Sequence, residues 1–163
     1  MATLTATGID EIPAGDWIVL DTSAVIAYLN ADEEASSAAK HVIEDLIGSG
    51  RNPGVISSAT VAEILVRPIR ELGKVPGYVM TFLLDYPGLS VRSADFLVAA
   101  EAAEIRAHTD AGMSDALIAA TATLTSSRWL ITNDRVLRNR LAGFDWETTV
   151  LLLSELAATA RGA

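Results

Sequence analysis

The sequence contains no cysteine. This absence excludes disulfide frameworks, thiolate metal sites and cysteine nucleophiles, and it suits a reducing compartment. Long apolar runs are also missing, because the longest, residues 24–29, has six residues. A helix that crosses a bilayer needs about 18 such residues. We therefore expect a cytoplasmic protein with no membrane-spanning helix.

Basic residues are scarce as well. Lys and Arg together number 12 against 21 Asp and Glu, which gives a formal net charge of −9. This balance disfavours passive electrostatic binding to nucleic acid or to an anionic membrane. Half of the residues are hydrophobic, so the 163-residue chain can bury a core of its own and is expected to fold.

The N-terminal residues differ in pattern from the rest of the chain. Residues 1–16 carry neither a basic segment nor an apolar stretch, so they do not resemble a secretory signal. Pro13 and Gly15 indicate where this segment ends. We predict a loose leader over residues 1–16 and one domain over residues 17–163.

Short apolar runs rich in β-branched residues alternate with helical patterns along this domain. They predict strands at residues 17–20, 54–58, 89–91, 129–132 and 148–153. Such alternation favours an α/β fold, a three-layer α/β/α sandwich with a central, mostly parallel sheet. Two local predictions are that Ser93 caps the helix after it and that Pro68 kinks or shortens its own helix.

Carboxylates follow two of the predicted strands directly. Asp21 comes after WIVL, and Asp134 comes after WLITN. Ligands of open parallel sheets bind outside the carboxyl ends of the strands. A third acid, Asp115, begins a helix after Ser114. Helix capping is an equally good explanation for each acid, because Asp is a preferred N-cap residue.

Glu63 has a different setting, inside the amphipathic segment VAEIL. A carboxylate with apolar neighbours on both sides needs a partner if it is buried. Taken alone, however, a helical Glu is more often solvated than a ligand. A functional role for Glu63 therefore depends on the other acidic motifs of the sequence.

Four motifs, DTSAVIAYL, VAEIL, MSDALIAATA and TNDRVL, follow one another in this order. In order and spacing the chain resembles the PIN-domain nucleases, most closely the VapC-type toxins of toxin–antitoxin pairs. The resemblance implies that Asp21, Glu63, Asp115 and Asp134 converge at the sheet edge and hold one or two Mg²⁺ or Mn²⁺ ions. Asp110 competes for the third place, but Asp115 is preferred because its SDALIAATA context matches the family.

The resemblance also assigns supporting roles. Polar residues of the same motifs are predicted to hydrogen-bond the acids, a metal-bound water or the scissile phosphate, with capping as the even alternative. These residues are Thr22, Ser23, Thr132 and Asn133.

Four clustered carboxylates predict a cation, because two of them about 4 Å apart repel by roughly 4 kcal/mol at an effective dielectric of 20. Hard dications take oxygen ligands. The implied reaction is hydrolysis of a phosphodiester by a metal-activated water. The resemblance implies an endoribonuclease whose products carry a 5′-phosphate and a 3′-hydroxyl. His41 and His108 stand apart from the four motifs, which argues against a ribonuclease with histidine as acid and base.

Arginines near the acids qualify the inference from net charge. Between residues 128 and 140 four arginines accompany the single acid Asp134, a local sum of 4 − 1 = +3. Any single arginine is most simply a solvated residue. Arg67 follows Glu63 in the same way. As a group, the basic residues that flank the acids predict contacts with RNA phosphates, and the predicted contacts are Arg67, Arg135 and Arg138.

The resemblance further implies an RNA substrate, a VapB-type antitoxin that occludes the active site, a homodimer and no membrane. Two alternatives stay open at this stage. One is a non-enzymatic PIN-like interaction module whose acids only cap helices. The other is a receiver-like α/β protein phosphorylated on Asp21, which would need a nearby lysine, although the nearest is Lys40 in a different context.

Overall fold

The computed structural model of the chain describes residue 8 and residues 11–160, with side chains as far as residue 156. The strands are β1 Ile18–Leu20, β2 Gly54–Ser57, β3 Leu89–Arg92, β4 Trp129–Thr132 and β5 Thr149–Leu152. The helices are α1 Thr22–Leu29, α2 Ser36–Lys40, α3 Ser58–Leu72, α4 Gly77–Asp85, α5 Phe96–His108, α6 Met113–Leu124, α7 Arg135–Leu141 and α8 Leu153–Ala160. A π-helical segment, His41–Gly48, continues α2. In this part of the chain no helix has the length and apolar character needed to cross a bilayer.

The five strands form one sheet in the order β3-β2-β1-β4-β5. Every neighbouring pair is parallel, as the alternation of strand and helix patterns predicts. Receiver-like proteins have the order 2-1-3-4-5, so the strand order excludes the receiver-like alternative. The central strand β1 lies between β2 and β4, which places its carboxyl end in the middle of the sheet edge.

Alternate residues of the central strands enter two separate cores. Ile18 and Leu20 pack in a cluster with residues of α1, α2, the π-helical segment, α3, α4 and α8. Val19, Val55 and Leu130 pack on the opposite face with residues of α5, α6 and α7. Because strand side chains point alternately to the two faces, this division confirms the predicted three-layer sandwich.

The predicted cap of α5 is wrong, and the predicted shortening of α3 does not occur. The N-cap of α5 is Asp95, whose side chain accepts from Val98 N at 3.0 Å, so Ser93 lies two residues before the cap. Pro68 does not shorten α3, which continues to Leu72. Gly73 ends the helix because it adopts a left-handed conformation with φ of 68°, which glycine reaches without a Cβ penalty.

The described end of the leader is packed on the domain. Ile12 has no exposed surface and belongs to the core. Asn52 Nδ2 donates to the carbonyl oxygen of Asp16 at 2.9 Å. The prediction of a loose leader is therefore wrong for residues 11–16, because the buried side chain of Ile12 and the hydrogen bond from Asn52 hold them on the domain. Apart from residue 8, the rest of the leader lies outside the described residues.

The substitution Ile12→Ala tests this correction. We expect it to destabilise the protein by about 2–5 kcal/mol, because it leaves a cavity in a closed core. Chemical denaturation monitored by circular dichroism measures the change in the free energy of unfolding. The control, Ile69→Ala, removes the same atoms from a side chain that is 53% exposed. If both variants unfold like the wild type, the N-terminal segment does not contribute to the core.

Candidate functional site

The carboxyl ends of β1 and β4 bring together residues that are more than a hundred positions apart. Asp21 N donates to Ile131 O at 2.9 Å, which extends the pairing of the two strands to their last residues. Thr132 Oγ1 then donates to Asp21 Oδ2 at 2.8 Å and accepts from Asp134 N at 3.0 Å. One threonine therefore connects the two acids that follow the strands.

Asp21 is the most buried acid of the site, with 4% of its surface exposed. It caps α1. Ser23 Oγ donates to its Oδ2 at 2.6 Å, beside the bond from Thr132. Burial raises the pKa of the Asp21 carboxyl, and the hydrogen bonds from Ser23 and Thr132 offset part of that rise. Because these bonds converge on Oδ2, they hold the carboxylate in one orientation.

Glu63 lies on α3 and is exposed, yet it has two hydroxyl partners. Thr22 Oγ1 donates to Glu63 Oε1 at 2.8 Å, and Ser114 Oγ donates to the same oxygen at 2.6 Å. These donors come from the first turns of α1 and α6. Glu63 thus joins three helices at the sheet edge, instead of being only a solvated helix residue.

Asp115 lies in the first turn of α6 and is partly buried. Burial is the largest cause of its raised pKa, followed by the charges of Asp21, Asp134 and Glu63. Arg140 Nη1 lies 3.9 Å from Asp115 Oδ2 and lowers this pKa. The charges of the other three acids act on the pKa of Asp115. The structure therefore places all four predicted acids close enough to interact electrostatically.

Asp134 shows that capping and a place in the site are compatible. Its Oδ1 caps α7 by accepting from Val136 N at 2.8 Å and Leu137 N at 3.3 Å. Its Oδ2 has no hydrogen bond within the described residues. The capping explanation of the sequence pattern is therefore correct for one oxygen and leaves the other available.

The oxygen chemistry of the site fits a hydrated divalent cation. Asp21, Glu63 and Asp134 are each anchored through one oxygen, and the second oxygen has no side-chain donor among the described residues. Within residues 11–156 no three Asp, Glu, His or Cys side chains are close enough to enclose an ion together. Mg²⁺ commonly binds one or two carboxylates and keeps several waters, so a closed cage is not required.

Three of the four predicted supporting residues contact the acids through their hydroxyls. Thr22 reaches Glu63, while Ser23 and Thr132 reach Asp21. Among the described residues, Asn133 is connected to this network through its backbone, whose N donates to Ser23 Oγ at 2.8 Å.

Sequence reasoning missed the contact roles of two residues. Ser114 was noted only as the residue before Asp115, but its hydroxyl donates to Glu63. The N-cap of α6 is Gly112. The position of Ser114 directly before Asp115 was the available signal. Arg140 was counted only in a local charge sum. No sequence signal placed its guanidinium beside Asp115, because that contact depends on how α7 packs.

The three arginines predicted to contact phosphates differ in their surroundings. Arg67 Nε donates to Glu71 at 3.0 Å, and Arg138 Nη1 donates to Glu155 at 2.7 Å. Arg135 is exposed and makes no ion pair within the described part of the chain. Of the three, Arg135 alone presents its guanidinium without an intramolecular ion pair among these residues.

A groove of about 310 Å³ lies beside the acids, between α1, α3 and α4. Glu63 belongs to its lining, together with Ile26, Leu29, Leu72 and Tyr78. Leu72 and Tyr78 are 60% and 64% exposed. The groove therefore joins an apolar surface to one carboxylate of the site.

Comparison with known proteins agrees with this geometry. The family model described as PIN domain matches residues 18–142. The VapC20 toxin of Mycobacterium tuberculosis, which cleaves the sarcin–ricin loop, is 20% identical over 80% of this chain and 98% of its own, with a TM-score of 0.61. A toxin–antitoxin complex from Klebsiella pneumoniae is 20% identical over 83% of this chain and 97% of the matched chain, with a TM-score of 0.60. DNA-bound VapBC from Salmonella typhimurium is 21% identical over 83% of this chain and 97% of the matched chain, also with a TM-score of 0.60. No curated protein sequence matches the chain.

Proposed function

Because the chain belongs to the PIN domain family, we propose that it is a metal-dependent endoribonuclease, the toxin of a VapBC-type toxin–antitoxin pair. The observation that carries this proposal is the meeting of four carboxylates at the carboxyl edge of the sheet, where burial first, and then the charges of the other three acids, raise the pKa of Asp115. Such repulsion is relieved by a cation. The structural likeness to a toxin that cleaves the sarcin–ricin loop supports RNA as the substrate.

The proposed metal ligands are Asp21, Glu63, Asp115 and Asp134, which would hold one or two Mg²⁺ or Mn²⁺ ions. When bound, such an ion lowers the pKa of a water ligand and neutralises charge that develops on the phosphate.

The protein's own contribution is to orient these carboxylates. Ser23 fixes Asp21, and the hydroxyls of Thr22 and Ser114 fix Glu63 from two different helices. These hydroxyls donate to one oxygen of each carboxylate. The second oxygen of the same carboxylate therefore keeps its lone pairs for a ligand. The arrangement is therefore oriented before an ion or a substrate arrives.

RNA cleavage by the purified chain tests the proposal. We expect Mg²⁺ or Mn²⁺ to support cleavage, a chelator to stop it and re-added metal to restore it. Mapping of the products should find 5′-phosphate and 3′-hydroxyl ends. Cleavage that persists in chelator would refute the metal mechanism. Complete inactivity on total RNA with metal would favour the non-enzymatic interaction module.

Ser114→Ala tests the support of Glu63. It removes the 2.6 Å hydrogen bond from α6, and loss of an outer-sphere partner of a metal ligand typically costs 10–100-fold in metal affinity or activity. We therefore expect the Mn²⁺ concentration for half-maximal cleavage to rise roughly tenfold. Ser154→Ala, an exposed position on α8, is the matched control. Equal metal dependence of both variants would contradict the assigned role.

We propose phosphate contacts for Arg135, Arg67 and Arg138, of which the last two must first leave Glu71 and Glu155. Arg135→Ala should weaken RNA binding and reduce the slope of log affinity against log salt by about 0.7, the value for one contact with a single strand. Fluorescence anisotropy at several salt concentrations measures both. The control is Arg51→Ala, because Arg51 precedes β2 and lies at the opposite edge of the sheet from the acids. It should change neither the affinity nor the salt slope. An unchanged slope for Arg135→Ala would remove this residue from the RNA interface.

We also propose a VapB-type antitoxin as partner, and the cytoplasm as the location because the RNA substrate is there. The groove between α1, α3 and α4 fits a segment with apolar side chains, and Glu63 at its lining fits a cation carried by that segment. Occupancy of this groove would block access to the acids. Co-purification with the product of an adjacent reading frame, followed by loss of RNA cleavage in the complex, tests the pairing.

We further propose that the protein forms a homodimer. Two neighbouring side chains at the start of α5, Phe96 and Leu97, are 83% and 60% exposed. Adjacent large apolar side chains in water fit a protein contact. Light scattering after size exclusion decides the state, and a monomer at micromolar concentration would refute it.

A further inference from the structure

An open cavity of about 650 Å³ lies between the end of α5 and α7. It adjoins the acids through Arg140, which lines the cavity and has its guanidinium 3.9 Å from Asp115 Oδ2. Small-molecule sites commonly have volumes of about 300–1,000 Å³. A nucleotide that neighbours the scissile phosphate therefore has both the room and the position to enter it.

Asp110 lines this cavity with a free carboxylate on a fixed backbone. Thr109 Oγ1 donates to Ile105 O at 2.7 Å and accepts from Ala111 N at 3.2 Å. Arg106 Nε donates to Ala111 O at 3.3 Å. Both neighbours of Asp110 are thus held, whereas its own side chain is exposed and has no hydrogen bond or ion pair within the described residues.

The other lining groups supply complementary chemistry. Asn139 offers both a donor and an acceptor, and Val136 is 53% exposed and offers an apolar surface to a base. Arg140 is suited to a phosphate. A carboxylate, a carboxamide and a guanidinium around one cavity match the parts of a nucleotide better than those of a purely apolar ligand.

The free carboxylate selects among bases. An ionised carboxylate only accepts hydrogen bonds, and proteins read single-stranded RNA on the Watson–Crick edges of unstacked bases. Guanine presents two adjacent donors there, N1–H and the N2 amino group, which match two carboxylate oxygens. Adenine and cytosine present one amino donor beside an acceptor, and the single N–H of uracil is flanked by two carbonyl oxygens.

We propose that this cavity is a subsite for a guanine base of single-stranded RNA, with Asp110 accepting from N1–H and the N2 amino group. Asp110 is then a specificity-determining residue and takes no part in the hydrolysis. The inference rests on the proposed ribonuclease function, because it assumes RNA at the adjoining acids.

The test measures binding, so that it does not depend on cleavage. Labelled pentaribonucleotides UUGUU, UUIUU and UUAUU, in which I is inosine, are titrated with wild-type protein by fluorescence anisotropy. Ca²⁺ replaces Mg²⁺, and gel electrophoresis checks that the RNA stays intact. Inosine lacks only the N2 amino group of guanine. The variant is Asp110→Asn, and the control is Asp145→Asn, which removes the same charge from the loop before β5 at the opposite edge.

We expect the wild type to bind UUGUU roughly tenfold more tightly than UUIUU, the order of discrimination that a bidentate contact provides. Asp110→Asn should lose this preference, and Asp145→Asn should keep it. Equal binding of the three pentamers by the wild type, no binding of any, or an intact preference in Asp110→Asn would each overturn the subsite. Free GMP that binds as tightly as UUGUU would overturn its assignment to RNA. A guanine preference without any cleavage in Mn²⁺ would support the subsite and refute the ribonuclease.

Discussion

Asp21→Asn is expected to reduce metal-dependent RNA cleavage by at least about 100-fold. Loss of an outer-sphere partner already costs 10–100-fold, and this substitution removes the charge of a proposed metal ligand itself. The amide oxygen of asparagine can still accept from Ser23 and Thr132, and Asn is as good an N-cap as Asp. The local structure at the start of α1 should therefore survive.

The same substitution is expected to raise thermal stability. Burial raises the pKa of Asp21 above its ordinary 3.8, so the folded protein favours the neutral carboxyl. At neutral pH the ionised group lowers the free energy of unfolding, and a neutral amide removes this effect together with repulsion from Asp115. For a chain of this length, each kcal/mol gained raises the melting temperature by roughly 2–4 °C.

Initial rates of RNA cleavage and thermal unfolding in chelator, both at pH 7, measure the two effects of Asp21→Asn. The matched control is Asp32→Asn, which makes the same chemical change at an exposed residue after α1. This control should leave both the rate and the melting temperature unchanged. A fully active Asp21→Asn variant would remove Asp21 from the mechanism, and a less stable one would contradict the account of its burial.

Addition of Mn²⁺ is expected to stabilise the wild-type protein strongly at pH 7. An ion present at 100 times its dissociation constant adds about 2.7 kcal/mol to the free energy of unfolding. At roughly 2–4 °C per kcal/mol, the melting temperature should rise by about 5–11 °C. The physical reason is that a dication neutralises carboxylates that otherwise repel one another at the sheet edge.

This stabilisation should depend on pH in a defined direction. The pKa values of Asp21 and Asp115 are raised in the folded protein, first by burial. Their protonation stabilises the metal-free fold fully below the unfolded value of 3.8, and this contribution is lost as the pH rises through the folded values. Metal competes with those protons. The increase that Mn²⁺ gives in melting temperature should therefore be larger at pH 7 than at pH 5.

Thermal unfolding with Mn²⁺ and with chelator at the two pH values measures this dependence. Asp21→Asn should lose most of the stabilisation by metal, and Asp32→Asn should retain it. The same gain at both pH values would show that the ion binds elsewhere. No gain for the wild type at millimolar Mn²⁺ would contradict the proposed metal site.

Much of the fold was predictable because its signals are local. Short runs rich in apolar and β-branched residues, such as WLIT, form central strands, and polar residues after them cap helices. The prediction failed where several residues compete for one role. Ser93 and Asp95 are both good caps, and only the position at which α5 begins decided between them. Ile12 lacked a local signal, because its burial depends on distant parts of the chain.

The acids of the candidate site could be predicted from the sequence, but most of their hydrogen bonds and ion pairs could not. Asp21 and Asp134 follow strands, so their position at one sheet edge comes from the strand pattern. The hydrogen bond from Ser114 to Glu63 joins residues 51 positions apart. Such a contact depends on the relative packing of α3 and α6, which no periodicity in either helix specifies.

The sequence by itself determined that this protein has no cysteine chemistry, that it folds as alternating strands and helices, and which carboxylates end its strands. These features are set by residue type and by periods of two and 3.6 residues along one segment. Only the tertiary structure decided which oxygen of Asp21, Glu63 and Asp134 is anchored and that Arg140 lies beside Asp115. It also decided that Asp110 lines a neighbouring cavity with no hydrogen bond or ion pair among the described residues. Those facts depend on distances between segments far apart in sequence, and long-range packing fixes such distances.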